Sequence, residues 1–216
     1  LVEMRIDAKT SKILSQAYLI VSCCFVLFAL GLVGSLYIPV VLSSLISLIG
    51  IFPAIVMCCT QSPKLKVCLM SFSALTAGFG AGAFCISHGL DSSQMVFCAL
   101  ATTLAFVSTT IVSLLTTELT LLYTFMGIIS SIVYIPLTIW YVFSWGLTPA
   151  YIFMSVSVIM SILFLIIDTH SIIRAIEAGV DDPFILAWTL FVDAFDLFMY
   201  LAKLMIVMSK KRDDDK

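Results

Sequence analysis

The charged residues of this 216-residue chain are concentrated at its two ends. Of its 11 basic and 13 acidic residues, only four lie between residues 13 and 167: Lys64, Lys66, Asp91 and Glu118. Charged residues make up 11% of the chain, against about 25% in soluble domains. So long a stretch with so few charges cannot form a surface that faces water. The pattern excludes an ordinary soluble domain and predicts an all-α integral membrane protein.

Seven apolar segments follow one another, each about as long as the 20 residues that a helix needs to cross a bilayer. They lie at about 13–36, 38–59, 67–88, 93–116, 119–144, 148–177 and 183–208. The breaks between them are short and leave no room for a soluble domain. We therefore predict a cytosolic N-terminal tail over 1–12, a single seven-helix transmembrane domain over 13–208 and a charged C-terminal tail over 209–216.

The positions of Lys and Arg predict the orientation of the segments in the membrane. Before the C-terminal tail, basic residues fall on one set of alternate sides only: Arg5, Lys9, Lys12, Lys64, Lys66 and Arg174. Cytosolic loops retain Lys and Arg, so this set of sides and the N-terminus are expected in the cytosol. The tail SKKRDDDK departs from the rule, because a seventh crossing places its basic residues on the far side. We predict a full seventh span, and the alternative is six spans followed by a re-entrant C-terminal helix.

The third segment carries small residues at helical spacing. Ala74, Gly78 and Gly82 follow one another at steps of four residues. Small residues on one face let the backbones of two membrane helices approach closely. We therefore predict a helix-packing face, with a glycine hinge that moves during gating as the alternative.

Two aspartates lie inside the last two segments, where an ionised carboxylate costs at least about 2.5–3.5 kcal/mol. Gly179 is typical of a helix end, and Asp182-Pro183 of an N-cap followed by a first-turn proline. Asp168 lies 11 residues before Gly179, and Asp193 lies 11 residues after Asp182. At about 1.5 Å per residue, both lie roughly 16 Å from the turn on neighbouring antiparallel helices. The spacing predicts one pH-sensitive site in which two carboxyl groups share a proton.

Asp196 is a third candidate for the pH sensor and ion path, and Lys203, Glu118 and His170 are secondary candidates. Asp196 lies three residues beyond Asp193 on the same helix face, and Lys203 continues that face. For these two, the alternatives are an internal ion pair, a lysine that extends to the membrane interface, or a second acidic step along an ion path. Glu118 is expected at the membrane interface, with a role as an ion ligand as the alternative. His170 is expected at the surface or the membrane interface, near a helix end.

Net charge and histidine count limit the partners and the chemistry. With a formal charge of -2, the chain has no basic surface for nucleic acid. Its two histidines are too few for the ligand set of a membrane zinc hydrolase. We therefore expect no enzyme, no cofactor and no nucleic-acid partner. Membrane lipid is the expected surrounding, and an oligomer is left open.

Three stretches resemble a known family. IDTHSIIRAIEAG, from Ile167, and LFVDAFDLFMYLAKLM, from Leu190, resemble the C-terminal signature of the transmembrane Bax inhibitor motif family, most closely its Bax inhibitor-1 branch. LTAGFGAGA, residues 75–83, is similar to the Gly-rich third helix of that branch. The chain departs from the family pattern at His170, where the family has Gln, and in its second segment, which lacks an arginine.

The resemblance implies a seven-helix bundle with the last helix at its centre. It also implies a pH-sensitive calcium leak and protection against cell death in the endoplasmic reticulum or another internal membrane. The family's paired aspartates correspond to Asp168 and Asp193, with Asp196 as a rival for the second position. Calcium is the implied permeant ion, bound transiently by Asp168 and Asp193, and cell-death regulators of the Bcl-2 family are implied partners.

Two other classes of function stay open. A non-conducting adaptor could bind cell-death or calcium-release proteins through its helices and tail. An intramembrane aspartyl protease also places two aspartates on adjacent helices. Its Tyr-Asp and Gly-x-Gly-Asp contexts differ, however, from the Ile-Ile-Asp-Thr and Phe-Val-Asp-Ala found here.

Overall fold

A computed structural model describes residues 8–115, 120–144 and 146–214, and every regular element in these ranges is an α-helix. The helices are α1 (Ala8–Gly34), α2 (Val40–Ile49), α3 (Ile51–Cys59), α4 (Pro63–Ser87), α5 (Ser92–Leu115), α6 (Thr120–Ser144), α7 (Leu147–Glu177) and α8 (Pro183–Asp214). Because α2 and α3 are two parts of one apolar segment, the eight helices correspond to the seven predicted segments. The all-helical class is confirmed.

Five helical stretches are long and apolar enough to cross a membrane: Thr10–Gly34, Val40–Met57, Pro63–Ser87, Ser92–Val112 and Leu147–Glu177. Large apolar side chains are exposed on the helices, among them Leu19 at 68% and Phe143 at 78%. Such side chains are unfavourable in water and favourable against lipid tails. The helices therefore have the surface of an integral membrane protein.

The last helix, α8, continues without a break for 32 residues. At about 1.5 Å per residue it is roughly 48 Å long, which exceeds the hydrocarbon thickness of a bilayer. A re-entrant segment has to turn back inside the membrane, and α8 contains no such turn. Helix α8 is not among the five stretches above, so the choice between a full seventh span and a re-entrant C-terminal helix stays a prediction.

The second segment is broken at Gly50, between α2 and α3. Pro53 lacks the backbone N–H that would bond the Ile49 carbonyl, so the helical ladder is interrupted there. The Ser73 hydroxyl of α4 donates to the Gly50 carbonyl at 3.1 Å, so this backbone oxygen has a hydrogen-bond donor at the break. A Cβ atom at Gly50 would lie 1.9 Å from Thr76 Oγ1, so the close contact with α4 requires glycine.

Contacts divide the described chain into two compact units. One comprises residues up to 95 together with 172–192, and the other comprises residues 96–171 together with those from 193 onward. In the first unit α4 packs against α1, α2 and α3. Helix α8 supplies buried residues to each unit, Phe191 to the first and Phe198 to the second. Helix α8 thus has buried residues in both parts of its length. The single transmembrane domain over 13–208 stays a prediction.

Small residues bring α1 and α4 into backbone contact. A Cβ atom at Gly78 would lie 2.1 Å from the Phe28 carbonyl oxygen and 3.0 Å from the Gly31 Cα. Gly82, four residues further along α4, also faces α1, and Ala74 is fully buried. Any side chain larger than hydrogen at Gly78 would force the two helices apart.

The turn between α7 and α8 has the predicted caps. Gly179 has a φ of 99°, and the next residue, Val180, donates its N–H to the Ala175 carbonyl at 2.9 Å. Asp182 Oδ1 accepts the Phe184 N–H at 3.0 Å at the start of α8. The predicted helix end and N-cap are confirmed.

An ion pair connects this turn to the first turn of α4. The Lys66 ammonium donates to Asp182 Oδ2, with side-chain exposures of 10% and 27%, respectively. The contact places the loop before α4 and the loop before α8 on the same side of the molecule. That arrangement is the one required if Lys64, Lys66 and Arg174 all lie toward the cytosol.

Candidate functional site

The centre of the candidate site is a carboxyl pair on neighbouring helices. The side chains of Asp168 of α7 and Asp193 of α8 lie close enough to form a hydrogen bond with each other, and both residues are partly buried. An ionised carboxylate can only accept hydrogen bonds, so a bond between two carboxyl groups requires a proton on at least one of them. The structure thus brings together the two aspartates that the helix spacing places level with each other.

Fully buried residues surround the pair along each helix. Leu165 and Thr169 are completely buried on α7, as are Leu190, Ala194 and Leu197 on α8. The Thr169 hydroxyl donates to the Leu165 carbonyl at 2.8 Å, within its own helix. The other carboxylate oxygen of Asp193, Oδ2, is buried and has no hydrogen-bond partner in the described part of the chain. If both carboxyl groups were ionised, the charge on Asp193 would therefore lack a hydrogen-bond donor at Oδ2 to stabilise it.

Asp196 lies one helical turn beyond Asp193 and has a different environment. It is exposed, and its interaction with Asp193 is through charge. The side chain that lies within hydrogen-bonding reach of Asp168 is that of Asp193. Of the two candidates for the second position, Asp193 is the one in contact with Asp168.

A cavity of about 450 Å³ adjoins the three aspartates. Its lining combines carboxyl, hydroxyl and apolar groups: Tyr134, Ile135, Ser157, Met160, Ser161, Phe164, Asp168, Asp193, Asp196 and Tyr200. The volume falls in the range of about 300–1,000 Å³ that is typical of small-ligand sites. It is large enough for a cation that keeps part of its water shell.

Two tyrosines and a serine of this lining form a hydroxyl cluster that sequence analysis missed. Tyr134 Oη of α6 lies 2.8 Å from Ser157 Oγ and 3.5 Å from Tyr200 Oη. The Ser157 hydroxyl donates to the Phe153 carbonyl at 2.8 Å. Tyr200 could have been found from its spacing, because it follows Asp193 by seven residues on the same face of α8. Tyr134 carries no such signal.

Lys203 lies at the end of the same face of α8. Its ammonium group lies 5.3 Å from the centre of the Tyr200 ring, within the range of a cation–π interaction. It also interacts with Asp196 through charge. The alternative of an internal ion pair between Asp196 and Lys203 stays a prediction.

The expectation for His170 was wrong, and that for Glu118 falls outside the described residues. His170 is only 4% exposed, because α7 continues for another seven residues and His170 shares a buried face with Ile167 and Ile173. The surface position expected from its nearness to a helix end therefore does not hold. Glu118 lies between α5 and α6, among residues that the structure does not describe.

The two bonded carboxyl groups are too few for a tight calcium site. Calcium takes six to eight oxygen ligands. Among the described residues, no group of three or more His, Cys, Asp or Glu side chains could hold a metal ion. Transient calcium binding by Asp168 and Asp193 stays a prediction, and it suits a permeant ion better than a bound one.

Long apolar helices, exposed apolar side chains and a partly buried carboxyl pair on two of the helices define a polytopic helical membrane protein. A family model described as inhibitor of apoptosis-promoting Bax1 matches residues 10–211. The chain therefore belongs to the transmembrane Bax inhibitor family, whose members are membrane proteins that limit cell death. The family is not known for enzymatic activity. No curated protein matches the chain significantly.

Proposed function

We propose that this protein is a pH-sensitive calcium leak channel of an internal membrane, closed by the proton that Asp168 and Asp193 share. The observation that supports the proposal is the close approach of the two carboxyl groups beside the cavity, where they are near enough to share a proton through a hydrogen bond. With the proton in place, the bond holds α7 to α8 beside the cavity. Without it, two negative charges are in contact and repel each other.

Loss of the proton opens the path in this scheme. Repulsion between the carboxylates of Asp168 and Asp193 separates α7 from α8, and the nearby charge of Asp196 adds to the repulsion. The same carboxylates then offer oxygen ligands to a cation that passes through the cavity. Leak is expected to rise with pH, since the closed state is the protonated one.

Location and partners belong to the same proposal. We infer that the membrane is the endoplasmic reticulum or another internal calcium store, and that the leak limits cell death by lowering stored calcium. Regulators of the Bcl-2 family are the proposed partners, because the family is named for its action on a Bax protein. An adaptor without any flux is the competing function, and it requires no role for the carboxyl pair.

Reconstitution into liposomes that contain a calcium dye tests the proposal. The parent is expected to leak more calcium as pH rises. Asp168→Asn and Asp193→Asn are each expected to lose that pH response, because an amide cannot give up the shared proton. Asp196→Asn is the comparison on the same face of α8, and it is expected to keep a pH response with a shifted midpoint, because it removes a nearby charge and leaves the Asp168–Asp193 pair in place. The proposal fails if both pair variants leak like the parent at every pH.

A further inference from the structure

We propose that Lys203 is a fixed cation that determines how strongly the leak path discriminates between divalent and monovalent cations. The inference rests on the proposed cation leak and adds a determinant of selectivity to it. It is carried by the position of the Lys203 ammonium group relative to Tyr200 and Asp196, which both line the acidic cavity.

Lys203 ends a polar stripe along one face of α8. Asp193, Asp196, Tyr200 and Lys203 follow at steps of three, four and three residues, which keeps them on one side of the helix. The first three line the cavity. Lys203 lies 21 residues beyond Asp182, about 31 Å along the helix axis. This distance is close to the thickness of the hydrocarbon layer, so the ammonium group can reach the interface opposite the α7–α8 turn.

The hydroxyl cluster fixes the ring on which the ammonium group lies. The Ser157 hydroxyl donates to the Phe153 carbonyl, and Tyr134 Oη lies 2.8 Å from Ser157 Oγ. Tyr200 Oη then lies 3.5 Å from a Tyr134 oxygen that is anchored to α7. A ring held at its hydroxyl end presents a fixed face to Lys203. The positive charge of Lys203 then contributes to the electrostatic potential in the cavity.

A fixed positive charge acts more strongly on a divalent than on a monovalent cation. The electrostatic energy scales with the charge of the ion, so Lys203 disfavours calcium at Asp196 by twice as much as it disfavours potassium. Seven residues of helix separate the two positions, which is about 10 Å. At an effective dielectric constant of about 20, removing one charge at that distance changes the ratio of calcium to potassium permeability on the order of tenfold.

Reversal potentials in planar bilayers measure that ratio. Lys203→Gln, which removes the charge, is expected to raise the calcium-to-potassium permeability ratio on the order of tenfold. Lys203→Arg keeps a cation that can lie over the same ring, and it is expected to keep the parent ratio. Tyr200→Leu keeps the lysine and removes the ring. It is expected to shift the ratio in the same direction by a smaller factor, because the ammonium group is then free to move away.

A ratio for Lys203→Gln within about twofold of the parent would overturn the inference. An equal shift in Lys203→Arg would do the same, because it would show that size and not charge is responsible. If Lys203→Gln does not fold, an unchanged ratio in folded Tyr200→Leu overturns the fixed position of the charge. A parent without cation current contradicts the proposed function instead, so the two failures are distinguishable.

Discussion

Lys66 and Asp182, 116 residues apart in the sequence, form an ion pair at the point where α8 begins. Asp182 uses its two carboxylate oxygens for different tasks. Oδ2 accepts the ammonium group, and Oδ1 accepts the Phe184 N–H at 3.0 Å. One side chain therefore both starts α8 and ties it to α4. The two contributions can be separated by substitution, because Asn keeps the cap and loses the charge.

Asp182→Asn is expected to lower the free energy of unfolding by about 2 kcal/mol, since it leaves the nearly buried Lys66 ammonium without its partner. Asp182→Ala is expected to cost about 1 kcal/mol more, because the N-cap is lost as well. Reversible unfolding in mixed detergent micelles measures both. The double variant with Lys66→Met completes a mutant cycle and should cost less than the sum of the single variants. Additive effects would show that the ion pair contributes nothing.

Gly78→Ala is expected to destabilise the protein by at least about 2 kcal/mol, since the new methyl group meets the α1 backbone and neither helix can give way. The added Cβ would lie 2.1 Å from the Phe28 carbonyl oxygen. Gly34→Ala is the matched control at the end of α1, where the nearest atoms belong to the Phe79 ring at 2.9 Å. A ring can rotate away, so the control is expected to cost less. Equal losses in thermal unfolding would contradict close backbone packing at Gly78.

Asp91 gives the start of α5 a pH-dependent cap. Its Oδ1 accepts the Gln94 N–H at 2.8 Å and the Ser93 hydroxyl at 2.7 Å, and these bonds hold the pKa of the carboxyl below its usual value of 3.8. A pKa lowered by folding stabilises the protein above the unfolded value, and this stabilisation is lost as pH falls through the folded value.

The difference in melting temperature between the parent and Asp91→Asn should therefore change below about pH 4. The parent is expected to lose stability relative to the variant there, because only the parent loses a charged cap. The difference should be constant at higher pH, where Asn caps nearly as well. A difference that stays constant down to about pH 2 would contradict the role of the charge.

Deletion of residues 209–216 tests the adaptor function against the leak. If calcium leak accounts for protection, the shortened chain should keep both the leak in liposomes and protection of cells from a death stimulus. The charged residues removed lie beyond the polar stripe of α8. Loss of protection with an intact leak would show that binding through the tail, and not calcium conduction, accounts for the protection. The double variant Asp168→Asn with Asp193→Asn provides the complementary comparison, with the tail intact.

The helices and the carboxyl pair were accessible from sequence because they depend on local rules. The rise of 1.5 Å per residue is fixed, so equal offsets from the α7–α8 turn were enough to bring Asp168 and Asp193 level. Gly179 and Asp182 marked that turn through backbone preferences that hold in any fold. The break at Gly50 likewise follows from Pro53, which removes one hydrogen bond from the helix.

Contacts between distant segments could not be derived in this way. Neither Lys66 nor Tyr134 has a local pattern that indicates its partner, because each partner depends on how helices pack. His170 was misplaced because its helix continues for seven more residues, and it lies on a buried face with Ile167 and Ile173. The choice between Asp193 and Asp196 also required the rotation of α8, which spacing alone does not fix.

A proton shared by Asp168 and Asp193 is expected to close the leak. Infrared difference spectroscopy on the reconstituted protein can follow the protonated carboxyl band while calcium leak is measured at the same pH values. The band that is absent from the double Asn variant should disappear over the same pH range in which the parent's leak rises, with one common midpoint. A band that persists at maximal leak, or two clearly separate midpoints, would contradict the claim.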